Sequence, residues 1–265
     1  MTIEPTVTQL FDLTGKTALL SGASGYLGQS MARALAEAGA NVIATSRQAE
    51  RAQAIADQLP VVGAAKHAGL TLDHMQNDRL EQDFNAAAEK FGGIDILVNN
   101  GHEAAKGDLT NCTPEDFSRQ LTNATGYFVL ARMVRDRAVA RNTGASIIML
   151  GSMYGMVGSY PDAYEGICAA SPVAYHTLKG GVLQMTRHLA VYWAADGVRV
   201  NALSPGPFPA ASVATELTDR LSAKSPMRRM GLPHELKGAL VFLASDASSY
   251  MTGQNLVIDG GWTAW

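Results

Sequence analysis

The chain opens with a short apolar run, a cluster of glycines, an amphipathic stretch and a second apolar run. That order restricts the fold more than any other feature. Residues 17–21 (TALLS) lead into Ser21-Gly22-Ala23-Ser24-Gly25-Tyr26-Leu27-Gly28. The spacing predicts a helix from Tyr26 to Glu37, closed by Gly39, and Val42-Ile43-Ala44 follows at once. Strand, helix and strand within about thirty residues make a βαβ unit, whose crossover forces the two strands to run parallel.

The alternation continues to the end. Glu50 to Leu59 reads as a helix ended by Pro60, and a third strand runs to about Leu72, ahead of Asp73. Residues 76–91 form an amphipathic helix stopped by Gly92-Gly93, and the buried strand Ile94-Asp95-Ile96-Leu97-Val98 ends in Asn99-Asn100-Gly101. Pro114 begins a long helix carrying Asn123; Ser146 to Leu150 is the fifth strand and leads to Gly151-Ser152. A helix near 173–196, the strand Val198–Leu203, a helix from about Pro233 to Ser245 and the strand Asn255–Ile258 complete the pattern. Residues 207–225 read as a mobile segment. With no linker or repeat to mark a boundary, residues 1–265 are expected to form a single α/β domain, a doubly wound sheet with helices on both faces.

Composition narrows the partners. The chain is 47% hydrophobic and 17% charged, with a net charge of -3 and no block of lysine or arginine. Nucleic-acid or anionic-membrane binding therefore has no electrostatic support. An acidic residue comes early and no basic segment precedes an apolar one, so a secretory signal is not expected. No apolar run approaches the ~20 residues that span a bilayer. Cys112 and Cys168 have neither metal-ligand spacing nor a disulfide framework. A soluble, cytoplasmic protein without a metal is the expectation.

The glycine cluster carries the first chemistry. Gly22 permits the turn off the strand, Gly25 lets backbone approach a phosphate, and Gly28 lets the helix pack against the sheet. A pyrophosphate then rests on the helix N-terminus, where unpaired N–H groups favour an anion. At the end of the second strand, an acidic residue would select NAD by bonding the ribose 2′-hydroxyl, and an arginine would select NADP. Here stand Ser46 and Arg47, with no carboxylate until Glu50, so NADP is favoured over NAD. A solvated Arg47 opening the next helix is the alternative.

The second chemistry lies in Tyr175-His176-Thr177-Leu178-Lys179. Positions four apart share one helix face, which sets a phenol beside an ammonium. A phenol titrates near ~10, and a close cation favours the phenolate, making Tyr175 a proton donor and acceptor nearer neutral pH. A surface Tyr over a surface Lys would have the same spacing.

Together these pieces resemble the short-chain dehydrogenase/reductases from about residue 13 to 262. In family order they are the turn at 21–28, Asp73, Asn99-Asn100-Gly101, Asn123, Ser152, Tyr175-x-x-x-Lys179, Asn201 with Pro205-Gly206, and Asp259-Gly260-Gly261. The resemblance implies a seven-stranded parallel sheet, usually in a homotetramer, with a homodimer as the smaller possibility. It assigns Tyr175 as general acid/base, Lys179 to the nicotinamide ribose and to depressing the Tyr175 pKa, Ser152 to the substrate oxygen, and Asn123 to a water-linked proton path. The dinucleotide is expected along Gly22, Ser24, Gly25, Tyr26, Leu27, Gly28, Ser46, Arg47, Asp73, Asn99, Gly101, Tyr175, Lys179, Pro205 and Gly206.

Three departures from the family pattern stand out. Tyr26 replaces a usual glycine, giving Gly-x-x-Gly-x-x-Gly spacing as in the extended, sugar-nucleotide-modifying branch. Gly101-His102 stands where alanine and glycine are usual, which aims His102 and Glu103 at the active site or leaves them an exposed loop pair. Between Ser152 and Tyr175 lie 22 residues, more than is common, holding Tyr160, Asp162, Tyr164 and Glu165. The segment 153–174 is expected to wall the substrate pocket, with 207–225 as a second substrate loop; an oligomer contact or surface flap is the alternative. A substrate site of His102, Ser152, Tyr154, Glu165, Tyr175 and Phe208 follows. Its polar insertion, with an ending similar to gluconate-type dehydrogenases, points to a small-molecule alcohol or ketone among the sugars, sugar acids and polyols. Reduction of a 3-oxoacyl thioester or small ketone, and a nucleotide-sensing protein without turnover, are the rival readings. Leu130, Met133, Val134, Leu189, Tyr192 and Trp193 are candidates for a subunit interface, or for the core of one chain.

Overall fold

The computed structural model describes residues 4–104 and 107–265. In chain order it contains α1 (Val7–Leu10), β1 (Thr17–Leu20), α2 (Tyr26–Glu37), β2 (Asn41–Ser46), α3 (Ala49–Ala56), β3 (His67–Thr71), α4 (Asn77–Phe91) and β4 (Ile96–Asn99). There follow α5 (Pro114–Ala140), β5 (Ala145–Leu150), α6 (Pro161–Tyr164), α7 (Val173–Trp193), β6 (Val198–Pro205), α8 (Thr215–Lys224), α9 (Lys237–Ala244) and β7 (Asn255–Ile258). The strands form one seven-stranded sheet in the order β3-β2-β1-β4-β5-β6-β7. Every pairing is parallel.

Strands covered on both faces read as continuous apolar runs, and β1, β4 and β5 are buried at every position. On one face α4, α5 and α7 close a core around Phe84, Tyr127, Leu130, Val134, Leu178 and Val182. On the other, α2 and α9 close a second around Met31, Leu35, Leu240 and Leu243. Local chemistry marks the helix ends. Thr113 caps α5 by accepting from the Asp116 N–H, with Pro114 in the first turn, and Gly92 ends α4 in a left-handed conformation.

The strand order reverses direction between β1 and β4, and ligands of such sheets bind outside the carboxyl ends of the strands at that switch. The turn after β1, the Asn99–Gly101 step after β4, Ser152 after β5 and Pro205-Gly206 at the end of β6 all converge there.

Two expectations are corrected. Segment 207–225 is not an unstructured stretch: it carries α8, whose Leu221 is buried with Met153, Ala163 and Trp262 in a third apolar cluster. Of the six interface candidates, Leu130, Val134 and Leu189 belong to the core of this chain, and Met133 and Trp193 pack against it. Tyr192 alone is left well exposed, at 69%.

Candidate active site

Ser152, Tyr175 and Lys179 meet at one cleft. Ser152 is the second residue past β5 and caps the short 3-10 turn Met153–Gly155, its hydroxyl accepting from the Tyr154 N–H at 3.1 Å. That turn lies directly on α7. A Cβ on Gly155 would stand 2.8 Å from the Lys179 carbonyl, so a glycine here lets the turn that carries Ser152 approach α7. Ser152 and Tyr175 line the same cleft, and the Ser152 hydroxyl acts to lower the Tyr175 pKa.

The helical spacing does place Tyr175 and Lys179 on one face, but the ammonium does not address the phenol oxygen. Lys179 is 4% exposed; its Nζ donates to the Leu150 carbonyl at 2.6 Å and lies 5.7 Å from the centre of the Tyr175 ring. Burial raises the Tyr175 pKa and the Ser152 hydroxyl opposes it. The expected depression by Lys179 is therefore corrected, because desolvation of the phenolate outweighs any cation at that position. Burial likewise brings Lys179 down to about 8.

The adjoining space fits a dinucleotide. Gly25, Tyr26, Leu27 and Gly28 line a cleft of about 470 Å³ together with Asn100, His102, Pro205, Gly206 and Phe208. The N-cap of α2 is Gly25, with no side-chain cap, which leaves the first-turn N–H groups available to a phosphate. Gly22 has φ +67°, and a Cβ on it would meet Gly101 Cα at 2.6 Å, so the turn can touch the β4 end only with glycine at 22. Tyr26, where the family has glycine, is half-exposed on the cleft wall. A second hollow continues past Gly22, Ser24, Ser46, Arg47, Asp73, Gly101 and Glu103. In it the Ser24 hydroxyl donates to that of Ser46 at 3.2 Å, and Arg47 is exposed beside them. These residues present hydroxyls and a guanidinium where an adenosine ribose would lie.

Asn99 does not reach this cleft. It is wholly buried, donating to the Tyr127 carbonyl at 3.0 Å, so it ties β4 to α5. The next residue performs the cleft role: Asn100 Nδ2 donates to the carbonyls of Ser21 and Gly22, both at 3.0 Å, and pins the glycine turn. Successive strand residues point to opposite faces, so Asn99, expected at the dinucleotide and as a brace of the central sheet, keeps only the bracing role, and Asn100 takes the cleft side.

Asn123 is also withdrawn from the cleft, at 0% exposure. Its Oδ1 accepts from the Glu103 N–H and bonds His74 Nε2, each at 2.8 Å, while its Nδ2 donates to the Gln120 carbonyl at 2.8 Å. The two backbone partners fix the amide orientation, so His74 must carry its proton on Nε2. The Asn123 side chain thus holds the 101–104 loop. His74 and Gln120 were missed in the sequence; the adjacency of His74 to Asp73 at a strand end was the available signal.

His102 stands where the dinucleotide cleft, the adenosine hollow and the substrate cavity meet. Its ring packs edge-on to Tyr175, 5.3 Å between centres, and its Nε2 is 3.0 Å from Gln120 Nε2. It is open to solvent on the cleft side but crowded behind, and burial, reinforced by Lys179, lowers its pKa to about 4. Glu103 turns outward to an ion pair with Arg119.

A cavity of about 440 Å³ adjoins the cleft and is lined by His102, Ser152, Tyr154, Tyr175 and Phe208 among others. Glu165 is corrected: it is exposed beyond α6 and its carbonyl accepts from Arg220 at 2.7 Å, away from the cavity lining. The insertion does wall the cavity, but through Tyr154, Tyr164, Ser171 and Pro172; its Asp162 faces out to Lys224.

Known proteins share this arrangement. Residues 22–263 match the family profile described as enoyl-(acyl carrier protein) reductase. The chain is 36% identical over 268 residues to galactitol 2-dehydrogenase (L-tagatose-forming) of Cereibacter sphaeroides, covering 97% of this chain and 98% of that one. A short-chain type dehydrogenase/reductase of Mycobacterium marinum superposes with a TM-score of 0.89 at 35% identity, over 98% of this chain and all (100%) of that one. The gluconate 5-dehydrogenase of Burkholderia cenocepacia J2315, solved with NADP and tartrate, gives 0.85 at 29% identity, over 98% and 100%. Parallel sheet, glycine turn and Ser–Tyr–Lys cleft coincide with similarity along nearly the whole chain, and on those grounds it belongs to the short-chain dehydrogenase/reductase family.

Proposed function

We propose that this oxidoreductase interconverts a secondary alcohol and a ketone on a sugar, sugar acid or polyol, using NADP in preference to NAD. The observation that carries the reading is the convergence of the Ser152 hydroxyl, Tyr175 phenol and Lys179 ammonium where the dinucleotide cleft opens into the substrate cavity. The galactitol and gluconate dehydrogenases support the substrate class, and Ser46-Arg47 with no adjacent carboxylate supports NADP.

The bound nicotinamide supplies the hydride chemistry. Ser152 holds the substrate oxygen beside the Tyr175 phenol, which shares the same cavity wall. Burial keeps Tyr175 protonated at neutral pH, so in the reductive direction it is a general acid at the carbonyl oxygen. Lys179, anchored on the Leu150 carbonyl, would hold the dinucleotide ribose and carries positive charge into the site. Asn123 positions the loop bearing His102. Gly22, Ser24, Gly25 and the first turn of α2 would hold the pyrophosphate, and Asp73 the adenine end. A 3-oxoacyl thioester or small ketone is the second reading, favoured by the apolar lining of the cavity and by the acyl-carrier description of the matched profile. A homotetramer or homodimer and a cytoplasmic setting complete the proposal. Val191 and Tyr192, exposed at 77% and 69% on α7, support assembly. Among the described residues no helix is long and apolar enough to cross a membrane.

The test is a screen of sugar acids, polyols and ketones at the reduced-nicotinamide absorbance band, with NAD and with NADP. Tyr175→Phe is expected to bind dinucleotide within about twofold of the parent while kcat falls ~100-fold or more. Arg47→Asp is expected to move the NADP-to-NAD preference by ~10-fold or more. Dinucleotide binding without any turnover would make the chain a nucleotide-sensing protein instead.

A further inference from the structure

One ring on the wall of the active site is held in place by groups that take no part in the alcohol–ketone chemistry. His102 shares the walls of both the cleft and the cavity with Ser152 and Tyr175, and packs edge-on to the Tyr175 ring at 5.3 Å. Two anchors fix it. The Glu103 N–H donates to Asn123 Oδ1 at 2.8 Å and holds the loop, while Gln120 Nε2 stands 3.0 Å from His102 Nε2 and holds the ring. Gln120 and Asn123 lie one turn apart on α5, 3% and 0% exposed, and Asn123 Nδ2 donates to the Gln120 carbonyl at 2.8 Å.

The contact with Gln120 sets the tautomer. An amide nitrogen only donates, so His102 Nε2 must accept and the ring proton sits on Nδ1. The two nitrogens of an imidazole point in roughly opposite directions. With Nε2 directed at the buried Gln120, the Nδ1–H is turned away from α5, to the side on which His102 is open. Among the described residues none accepts from it. Burial, reinforced by Lys179, brings the pKa of the ring down to about 4, and Nε2 is occupied. The ring is therefore a fixed neutral donor rather than a second acid or base.

A carbonyl oxygen has two lone pairs, and the Tyr175 phenol and Ser152 hydroxyl supply a donor to each. A third donor on the same wall finds its acceptor on a neighbouring atom of the substrate. In a sugar, sugar acid or polyol the nearest such oxygen is the hydroxyl on the adjoining carbon.

We propose that the His102 Nδ1–H donates to a substrate hydroxyl on the carbon next to the reacting one. His102 is then a specificity-determining residue that selects hydroxyketones and vicinal diols, and Gln120 is the residue that positions its ring. This rests on the alcohol–ketone reading of the site and deepens it. A simple ketone lacks the partner for this donor, and the loss of one such hydrogen bond weakens transition-state binding about 10-fold.

The test compares kcat/KM with NADPH for 3-hydroxy-2-butanone, 2-butanone and D-fructose in the wild type, His102→Leu, His102→Asn and Gln120→Met. In the wild type the ratio of 3-hydroxy-2-butanone to 2-butanone is expected at ~10 or above. His102→Leu should bring that ratio to about 1. His102→Asn, whose amide nitrogen is bonded to Cγ as Nδ1 is, should keep it within about threefold of the wild type. Gln120→Met cannot donate to Nε2, releases the tautomer and should lower the ratio about threefold or more. D-fructose, with a hydroxyl on each side of its carbonyl, should follow 3-hydroxy-2-butanone through the variants. Where it alone turns over, a loss of ~10-fold in His102→Leu with recovery in His102→Asn carries the test, and equal turnover overturns the proposal. A wild-type ratio near 1, or one that survives in His102→Leu or Gln120→Met, also overturns it, while leaving the oxidoreductase reading in place. Should the buried Gln120 variant fail to fold, the His102 variants, at a residue open to the cleft, still decide. No turnover of any ketone by protein that binds NADPH brings down both.

Discussion

His102 belongs to the 101–104 loop and His74 bonds the Asn123 amide that holds it; desolvation lowers the pKa of both rings, His102 to about 4 although its cleft side is open. At pH values above 6.5 each ring is neutral in the folded and the unfolded chain, so neither affects stability. As pH falls from 6.5 towards about 4, the unfolded chain binds protons that the folded chain refuses, and stability is lost across that window. Carboxylates held low, such as Glu37 beside Lys237, add a further loss only below their unfolded value near 4.5. Melting temperature should therefore decline between pH 6.5 and 4.5, and His102→Gln should flatten that decline. A variant profile parallel to the wild type would show that the ring is not desolvated. The kcat/KM profile should lack an inflection near 6.5 from His102.

The insertion works as an element. Its α6 leans on α8 through Lys224–Asp162 at 2.5 Å and Arg220 on two carbonyls, with Lys224 4.9 Å from the Tyr160 ring centre and Tyr160 edge-on to Trp262. Such exposed ion pairs contribute little to global stability. They do set where Tyr164 stands, and hence the cavity wall. Asp162→Ala should shift Tm by under ~3 °C yet raise substrate KM severalfold, with dinucleotide affinity unchanged. A larger change in dinucleotide affinity than in KM would remove the insertion from the substrate side. Part of this element was legible beforehand. An added segment next to Tyr175 had to border the pocket, but Glu165 was read as facing in, and it is exposed away from the cavity. The irregular backbone on either side of α6 carries no periodicity from which to tell inside from outside.

At the scale of the molecule, the two long helices cover one face of the sheet with α4, and their outer surfaces still carry Val139, Val191 and Tyr192. In solution the 28.0 kDa chain should have a mass two or four times that value by light scattering, and Tyr192→Glu should lower it. A monomeric wild type would refute the assembly proposed.

By itself the amino-acid order determined the parallel sheet, the glycine turn under α2 and the one-turn spacing of Tyr175 and Lys179. Each is local: continuous apolar runs, a backbone conformation open to glycine, and a helical repeat. Only the tertiary structure decided which asparagine of the pair faced the cleft, that Lys179 turned to Leu150, that Asn123 was spent on His74, and which side of α5 and α7 was core. Those outcomes depend on which partner lies within about 3 Å after the chain has packed, and residues far apart in sequence meet only then.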